Sequence, residues 1–252
     1  DQWGKYRRYN NANADLYQTY QNGVPLRVTV LNTPLEVQEN LNANFGAYAQ
    51  DSWNVGKLTL NYGIRFDYHN AYVPAQNLAA IPFVAARQYD PVYNVPNWKD
   101  LSPRVGASYD LFGDGKTALK FSLGRYVAKT NVDVAVLLNP NTTAVNTARR
   151  AWNDTFYPAG DARRGNFYPD CDLGNLLGNG ECGQSEDLNF GKQNPRAVRW
   201  ADDVRTGNRD NNWDLAAEIQ HELTRGISLN GGYYFNNGGY YRNADSPKRQ
   251  TD

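Results

Sequence analysis

The chain has 252 residues, enough for one large all-β domain or two small domains. Its 26 Lys and Arg residues balance its 26 Asp and Glu residues, so the net charge is zero. That balance excludes the basic surface typical of nucleic-acid binding and the acidic excess typical of disorder. No segment approaches the roughly 20 consecutive apolar residues of a transmembrane helix.

The composition favours strands that cross a membrane. Tyrosine occurs 18 times and tryptophan 6 times, yet the mean hydropathy is polar. This pairing is typical of a barrel whose strands alternate a lipid face with a polar lumen and are joined by long polar loops. There is no Met, and the opening Asp1-Gln2-Trp3-Gly4 lacks the features of a signal peptide. We therefore expect the signal segment and the true N-terminus to lie outside these residues.

The first predicted strands in chain order are weak. Residues 16–20 and 26–31 flank Asn22-Gly23, a dipeptide typical of hairpin turns. A clearer strand follows at residues 45–53, and Asn54-Val55-Gly56 predicts a tight turn after it, with Gly where a positive φ is needed.

The strongest pattern runs over residues 57–69. One face carries Leu58, Leu60, Tyr62, Ile64, Phe66 and Tyr68, and the other carries Lys57, Thr59, Asn61, Gly63, Arg65, Asp67 and His69. Unbroken alternation of this length exceeds an ordinary strand of about five or six residues. It matches the roughly 9–11 residues that cross a bilayer obliquely, so this strand is predicted to span the membrane.

Two further hairpins repeat the pattern. Residues 103–111 and 119–124 flank Gly113-Asp114-Gly115, and residues 213–223 and 227–235 flank Thr224-Arg225-Gly226. The connections at the other ends are long, at about residues 70–100 and 129–211. Short turns on one rim and long loops on the other are typical of outer-membrane barrels. The predicted fold is all-β: residues 1–252 form an antiparallel, up-and-down transmembrane β-barrel wall of six to eight strands, as a segment of one barrel domain.

Several motifs resemble the barrel of TonB-dependent outer-membrane receptors. They are Ala49-Gln50-Asp51-Ser52-Trp53 followed by Leu58-Thr59-Leu60-Asn61-Tyr62-Gly63-Ile64-Arg65-Phe66-Asp67-Tyr68, then Leu101-Ser102-Pro103-Arg104-Val105-Gly106, Tyr109-Asp110-Leu111-Phe112-Gly113-Asp114-Gly115-Lys116-Thr117 and Gln220-His221-Glu222-Leu223. The resemblance covers about residues 23–235. It is nearest to the branch whose members carry a carboxypeptidase-regulatory-like module ahead of the plug.

The resemblance implies a bacterial outer-membrane transporter for a large nutrient, such as an oligosaccharide, a peptide or a metal chelate. Its partners would be membrane lipid, the rest of the barrel with its plug, and a TonB-type energy-transducing protein. Family barrels have about 22 strands around a plugged lumen. This chain offers at most eight, without a plug, a TonB box or a terminal aromatic strand, so we expect a piece from within a larger barrel.

Two other functions remain open from the sequence. One is a self-contained small outer-membrane barrel that acts as an adhesin or structural anchor, which would require its first and last strands to pair. The other is a soluble β-sandwich that binds carbohydrate through its aromatic loop. The polar mean hydropathy favours the sandwich, whereas the long strands and continuous apolar faces oppose it.

Little in the sequence suggests catalysis. The two histidines, His69 and His221, are far apart, which gives a histidine metal centre or a Ser-His-Asp triad little support. We expect neither an enzyme nor a cofactor. Cys171 and Cys182 lie in a Gly/Asn-rich stretch without CxxC spacing, which favours a structural loop disulfide in an oxidising compartment over two free thiols.

The long loop carries two further groups of interest. Asp202, Asp203, Asn208, Asp210 and Asn211 surround Gly207 and could hold Ca²⁺, although they do not match an EF-hand and also fit a solvated acidic loop. The aromatic residues could stack on a sugar ring or another planar ligand, but they fit loop packing or interface girdles better. They are Trp152, Phe156, Tyr157, Phe167, Tyr168 and Trp200.

Overall fold

The structure, a computed structural model, describes residues 2–10, 15–197, 202–207 and 209–239. The strands in these ranges are β1 (Gln2–Asn10), β2 (Leu16–Gln21), β3 (Val24–Leu31), β4 (Leu35–Val55), β5 (Leu58–Tyr72), β6 (Gln76–Leu78), β7 (Arg87–Tyr89), β8 (Asn97–Asp110), β9 (Thr117–Val127), β10 (Thr147–Ala151), β11 (Asn211–Thr224) and β12 (Ile227–Gly239). The helices are α1 (Asp133–Leu138) and α2 (Asp202–Thr206). Neither helix has the length and apolar character to cross a membrane.

Seven strands form one antiparallel sheet, which we call the wall, in the order β1-β4-β5-β8-β9-β11-β12. The three predicted hairpins supply six of its seven strands, and their turns are as short as expected. Gly56 and Gly226 take the positive φ that these turns need. In the turn between β8 and β9, the Asp110 carboxylate accepts hydrogen bonds from the backbone N–H groups of Gly113 and Gly115. The predicted all-β antiparallel wall is confirmed.

The register gives the wall two chemically different faces, because directly paired residues share a face. One cross-strand row consists of Trp53, Leu60, Ala107, Phe121, Ala217 and Tyr233. The adjacent row, on the opposite face, consists of Ser52, Asn61, Gly106, Ser122, Ala216 and Tyr234. We call these the apolar face and the polar face. Large apolar side chains are exposed along the apolar face, as a lipid-facing surface requires.

Membership of the wall differs from the prediction in one respect. The weak strand candidates are indeed strands, β2 and β3, but they pair with each other and with β10 in a separate three-stranded sheet. The seventh wall strand is β1, whose sequence has no apolar alternation. Among the described residues it pairs with residues 35–44 of β4, at the end farthest from the short turn.

The loops pack against the far ends of the strands. The first core joins Leu41, Ala71, Val73, Val95 and Trp98 of the wall region to Val132, Val134 and Ala135 around α1. Two further clusters lie on the three-stranded sheet around Val28, Val30, Ala148, Trp152 and Phe190. The long loops are therefore folded structures, and they position side chains over the polar face.

Candidate functional site

A cavity of about 480 Å³ lies on the polar face, where the wall meets the loop after β9. Strands β5, β8 and β9 form its floor, and residues 129–131 and Arg209 form its upper rim. Its lining consists of Asn44, Arg65, Asp67, Ser102, Arg104, Tyr126, Val127, Lys129, Thr130, Asn131 and Arg209. Its size is in the usual range for small-molecule sites. We call it the rim cavity.

Arg65 and Asp67 are fixed to one another at the floor of the rim cavity. The Arg65 guanidinium donates through Nε and Nη2 to both carboxylate oxygens of Asp67, at 2.8–3.0 Å. The pair packs over Gly46 on the neighbouring strand, where any Cβ would collide with the guanidinium. The absence of a side chain at Gly46 is therefore required for this geometry.

Asp100 anchors a second ionic group behind the rim cavity. On the loop side, Arg104 and Gly124 are the last paired residues of β8 and β9. Past this pair, the Arg125 guanidinium donates to the Asp100 carboxylate at 3.1 Å. Arg209 lies 3.7 Å from the other Asp100 oxygen and 5.4 Å above the Trp98 ring. Burial lowers the pKa of Arg209, and the Asp100 carboxylate opposes that shift. Asp100 thus holds two guanidinium groups beside the cavity.

The rest of the rim cavity has an excess of positive charge. Four cationic side chains line it, Arg65, Arg104, Lys129 and Arg209, against the single carboxylate of Asp67. Arg104 stacks on Tyr126, with its guanidinium carbon 4.5 Å from the ring centre. Within the described ranges, neither Arg104 nor Lys129 forms an ion pair with a carboxylate.

Two buried polar atoms at this cavity are also without hydrogen-bond partners in the described part of the chain. They are the Ser102 hydroxyl oxygen and Nε of Arg209, on residues that are 2% and 7% exposed. Buried polar groups normally find partners, so unused hydrogen-bonding capacity beside a cavity suits a ligand. Sequence analysis placed Arg65 and Asp67 on the polar side of their strand but identified no cavity there. Lys129 and Arg209 stand at opposite ends of the long loop, and no sequence signal indicated that they meet.

A second cavity continues from the first toward the short turns. Its volume is about 690 Å³, and it shares Arg65, Ser102 and Arg104 with the rim cavity. Gly63, on the polar face between Gln50 and Arg104, contributes to the space because it has no side chain. The polar face therefore carries one continuous recess along β4, β5 and β8.

The predicted loop aromatics divide into two groups. Trp152 is buried: its indole N–H donates to Glu181 Oε2 (3.1 Å), and its ring packs edge-on against Tyr20. Phe167 approaches the same Tyr20, at 6.3 Å between ring centres.

The second group is centred on Tyr157. Phe156 packs edge-on against Tyr157, and Arg163 stacks on the Tyr157 ring at 3.5 Å. Phe156, Phe167 and Tyr168 are largely exposed, whereas Trp200 lies outside the described residues. Ligand stacking by the exposed aromatics stays a prediction.

Cys171 and Cys182 form a disulfide with Cα atoms 5.8 Å apart, as the sequence suggested. Arg150 of β10 supports the same loop from inside, a role that sequence analysis missed. The Arg150 side chain donates to the carbonyls of Gly183, Asn175 and Leu177, each at 2.8 Å. Burial lowers the pKa of Arg150, against the favourable charge of Asp172. A buried arginine with carbonyl acceptors therefore organises the disulfide loop.

The predicted calcium site stays a prediction. Asp202, at the start of α2, forms an ion pair with Arg205. Asn208 lies outside the described residues, and the Asp203 side chain is not described either. Among the residues that the structure does describe, no three His, Cys, Asp or Glu side chains are grouped so that they could hold a metal ion.

Comparison with known protein families identifies the family of this chain. A family model described as an outer membrane beta barrel domain matches residues 3–245, which include all seven strands of the wall except the first residue of β1. No curated protein sequence and no solved structure matches the chain. The match covers nearly the whole chain, and the exposed apolar face and polar opposite face are those of a barrel wall in lipid. The chain therefore belongs to the outer membrane beta barrel domain family and is a protein of the bacterial outer membrane.

Proposed function

We propose that this chain forms part of the wall of a TonB-dependent receptor that takes up a large nutrient. The observation that carries the proposal is the open wall with a recess on its polar face. Within the described residues β1 and β12 do not pair with one another, so the sheet has two free edges. Free edges are costly in lipid, where no water satisfies the backbone groups. Further strands therefore complete the barrel.

The size of the recess supports a wide barrel. A barrel of eight strands has an interior that side chains just fill, whereas about 22 strands surround a lumen that holds a plug. Here the polar face carries two joined cavities, of about 480 and 690 Å³, and α1 packs at their upper end. Closing seven strands on themselves would leave no space for these features. This argues against a self-contained small barrel that acts as an adhesin or anchor.

The positions of the resemblance motifs agree with this function. The motif residues 49–53 and 58–68 form the two arms of the hairpin β4–β5, and residues 101–106 and 109–117 lie on β8, its turn and the start of β9. The implied partners are lipid on the apolar face, the remaining strands and plug on the polar side, and a TonB-type protein that acts through the plug. The proposed role is transport without catalysis, and the candidate nutrients are an oligosaccharide, a peptide or a metal chelate. Membership of the barrel family argues against the alternative of a soluble β-sandwich that binds carbohydrate.

Nutrient uptake in cells tests the proposal. One strain would lack this protein, a second would lack the TonB-type protein, and both would be grown on a panel of oligosaccharides, peptides and iron chelates as sole sources. We expect the first strain to lose uptake of at least one nutrient that the second also fails to take up. If the first strain loses a nutrient whose uptake does not need the TonB-type protein, or loses none, the proposal is wrong.

A further inference from the structure

We propose that the rim cavity binds an oxyanion group, a carboxylate or a phosphate, of a solute that enters the barrel. The inference rests on one part of the proposed function, namely that the polar face is the inner surface of the barrel. It names the chemical class of ligand that this surface selects.

The charges around the rim cavity favour an anion. Arg65 is neutralised by Asp67, and Arg209 shares Asp100 with Arg125. Arg104 and Lys129 have no carboxylate partner among the described residues, so the cavity presents two uncompensated positive charges. Cations that are grouped in a recess with low-dielectric walls attract anions strongly. The local charge therefore opposes cationic ligands and favours anionic ones.

The types of side chain favour an oxyanion in particular. A guanidinium presents a planar set of N–H donors that matches carboxylate and phosphate oxygens. The Arg104 guanidinium is held against Tyr126 at 4.5 Å, which limits the orientations that it adopts before a ligand arrives. The Ser102 hydroxyl and Arg209 Nε, which have no hydrogen-bond partner among the described residues, are on lining residues and would provide further donors. A site prepared in this way loses less conformational entropy on binding.

The position of the rim cavity agrees with a role in solute entry. It lies toward the rim that carries the long loops, below α1 and above the second cavity. Long loops are on the extracellular side of outer-membrane barrels. An anionic solute would therefore meet Lys129 and Arg104 before it reached the recess below.

Calorimetric titration of the protein extracted from outer membranes in detergent tests the inference. The probes are citrate and inorganic phosphate, which separate carboxylate from phosphate recognition, and maltose serves as a neutral control. At low salt we expect saturable binding of at least one anion and none of maltose, with affinity that falls as salt is raised. Arg104→Gln and Lys129→Gln should each weaken binding by about tenfold, the loss expected for one charge-assisted hydrogen bond.

A matched variant controls for net charge. Lys120 lies on the same polar face, two residues along β9 from Ser122, outside both cavities, and its ammonium donates to Gln220. Lys120→Gln removes one positive charge from this face and should leave anion binding nearly unchanged. If neither anion binds, or if Lys120→Gln weakens binding as much as Arg104→Gln, the inference is overturned.

Lys129 is on an exposed loop, so its variant should fold even if Arg104→Gln does not. Binding does not depend on energised uptake, so this result is distinguishable from failure of the nutrient experiment.

Discussion

Arg150 illustrates how a single buried charge can organise a loop mainly through backbone carbonyls, supported by the favourable charge of Asp172. Arg150 is 2% exposed, yet its hydrogen-bond partners are backbone carbonyls. Besides those of Gly183, Asn175 and Leu177, the carbonyl of Asp172 accepts from it at 3.4 Å. These carbonyls come from residues 172–183, a stretch without helix or strand, and three of them also accept from the side-chain amide of Asn179. The guanidinium suits this task because its fixed N–H donors point in several directions at once.

Replacing Arg150 should therefore loosen the disulfide loop. Arg150→Leu removes three charge-assisted hydrogen bonds from the loop, although the Asn179 side-chain amide still donates to the carbonyls of Asn175 and Leu177. We expect a loss of about 3 kcal/mol in the free energy of local opening. Amide hydrogen exchange of residues 171–183 should become on the order of a hundredfold faster. Arg149→Leu is the matched control, since Arg149 is the exposed neighbour on the same strand. Similar exchange in the two variants would contradict this account of Arg150.

Residues of the rim cavity mark the limit of what the sequence could predict about the site. The faces of Arg65 and Asp67 follow from strand alternation alone. Their meeting with Lys129 and Arg209 depends on how an 83-residue connection, residues 128–210, folds back on the wall. The periodicity of the strands carries no information about that path.

Strands were predicted best where lipid constrains them. The pattern at residues 57–69 became β5, Leu58–Tyr72, and that at 213–223 became β11, Asn211–Thr224. By contrast, residues 45–53 were only part of β4, which begins at Leu35. The additional residues of β4 lie on the loop side, where β1 and folded loops cover the strand. In that region both faces of a strand can be polar, or both can be buried. Alternation of polar and apolar residues therefore no longer indicates a strand there.

The two faces of β5 should respond differently to charge. Ile64 is on the apolar face and 49% exposed, so Ile64→Arg would place a guanidinium in lipid, at an expected cost of ~2–4 kcal/mol near the bilayer centre. Arg65→Ser changes the adjacent residue on the polar face and removes only its partly exposed pair with Asp67. That change should cost far less. Urea titration of the protein in lipid vesicles measures both, and equal losses would mean that the faces are assigned wrongly.

At the scale of the whole molecule, the wall is a sheet with two different edges. On β4, residues 45–55 pair with β5 on one side, whereas β1 covers only residues 35–44 on the other. At the far edge, β12 pairs with β11 through Asn211–Thr224 and, in the described part of the chain, with no further strand. Both open edges extend along strands that cross the bilayer. A sheet of this kind is stable in lipid only when other strands cover its edges.

The 252-residue chain by itself should therefore conduct nothing across a membrane. If it stays open, its uncovered backbone groups prevent stable insertion, and if seven or eight strands close on themselves, side chains fill the interior. We expect liposomes that contain the purified chain to show no solute flux and no current above empty vesicles. Liposomes with a general porin provide the positive control, and a heat-dependent shift in gel mobility reports whether the chain has folded. Steady current from the folded chain alone would contradict both the larger barrel and the receptor proposed on its basis.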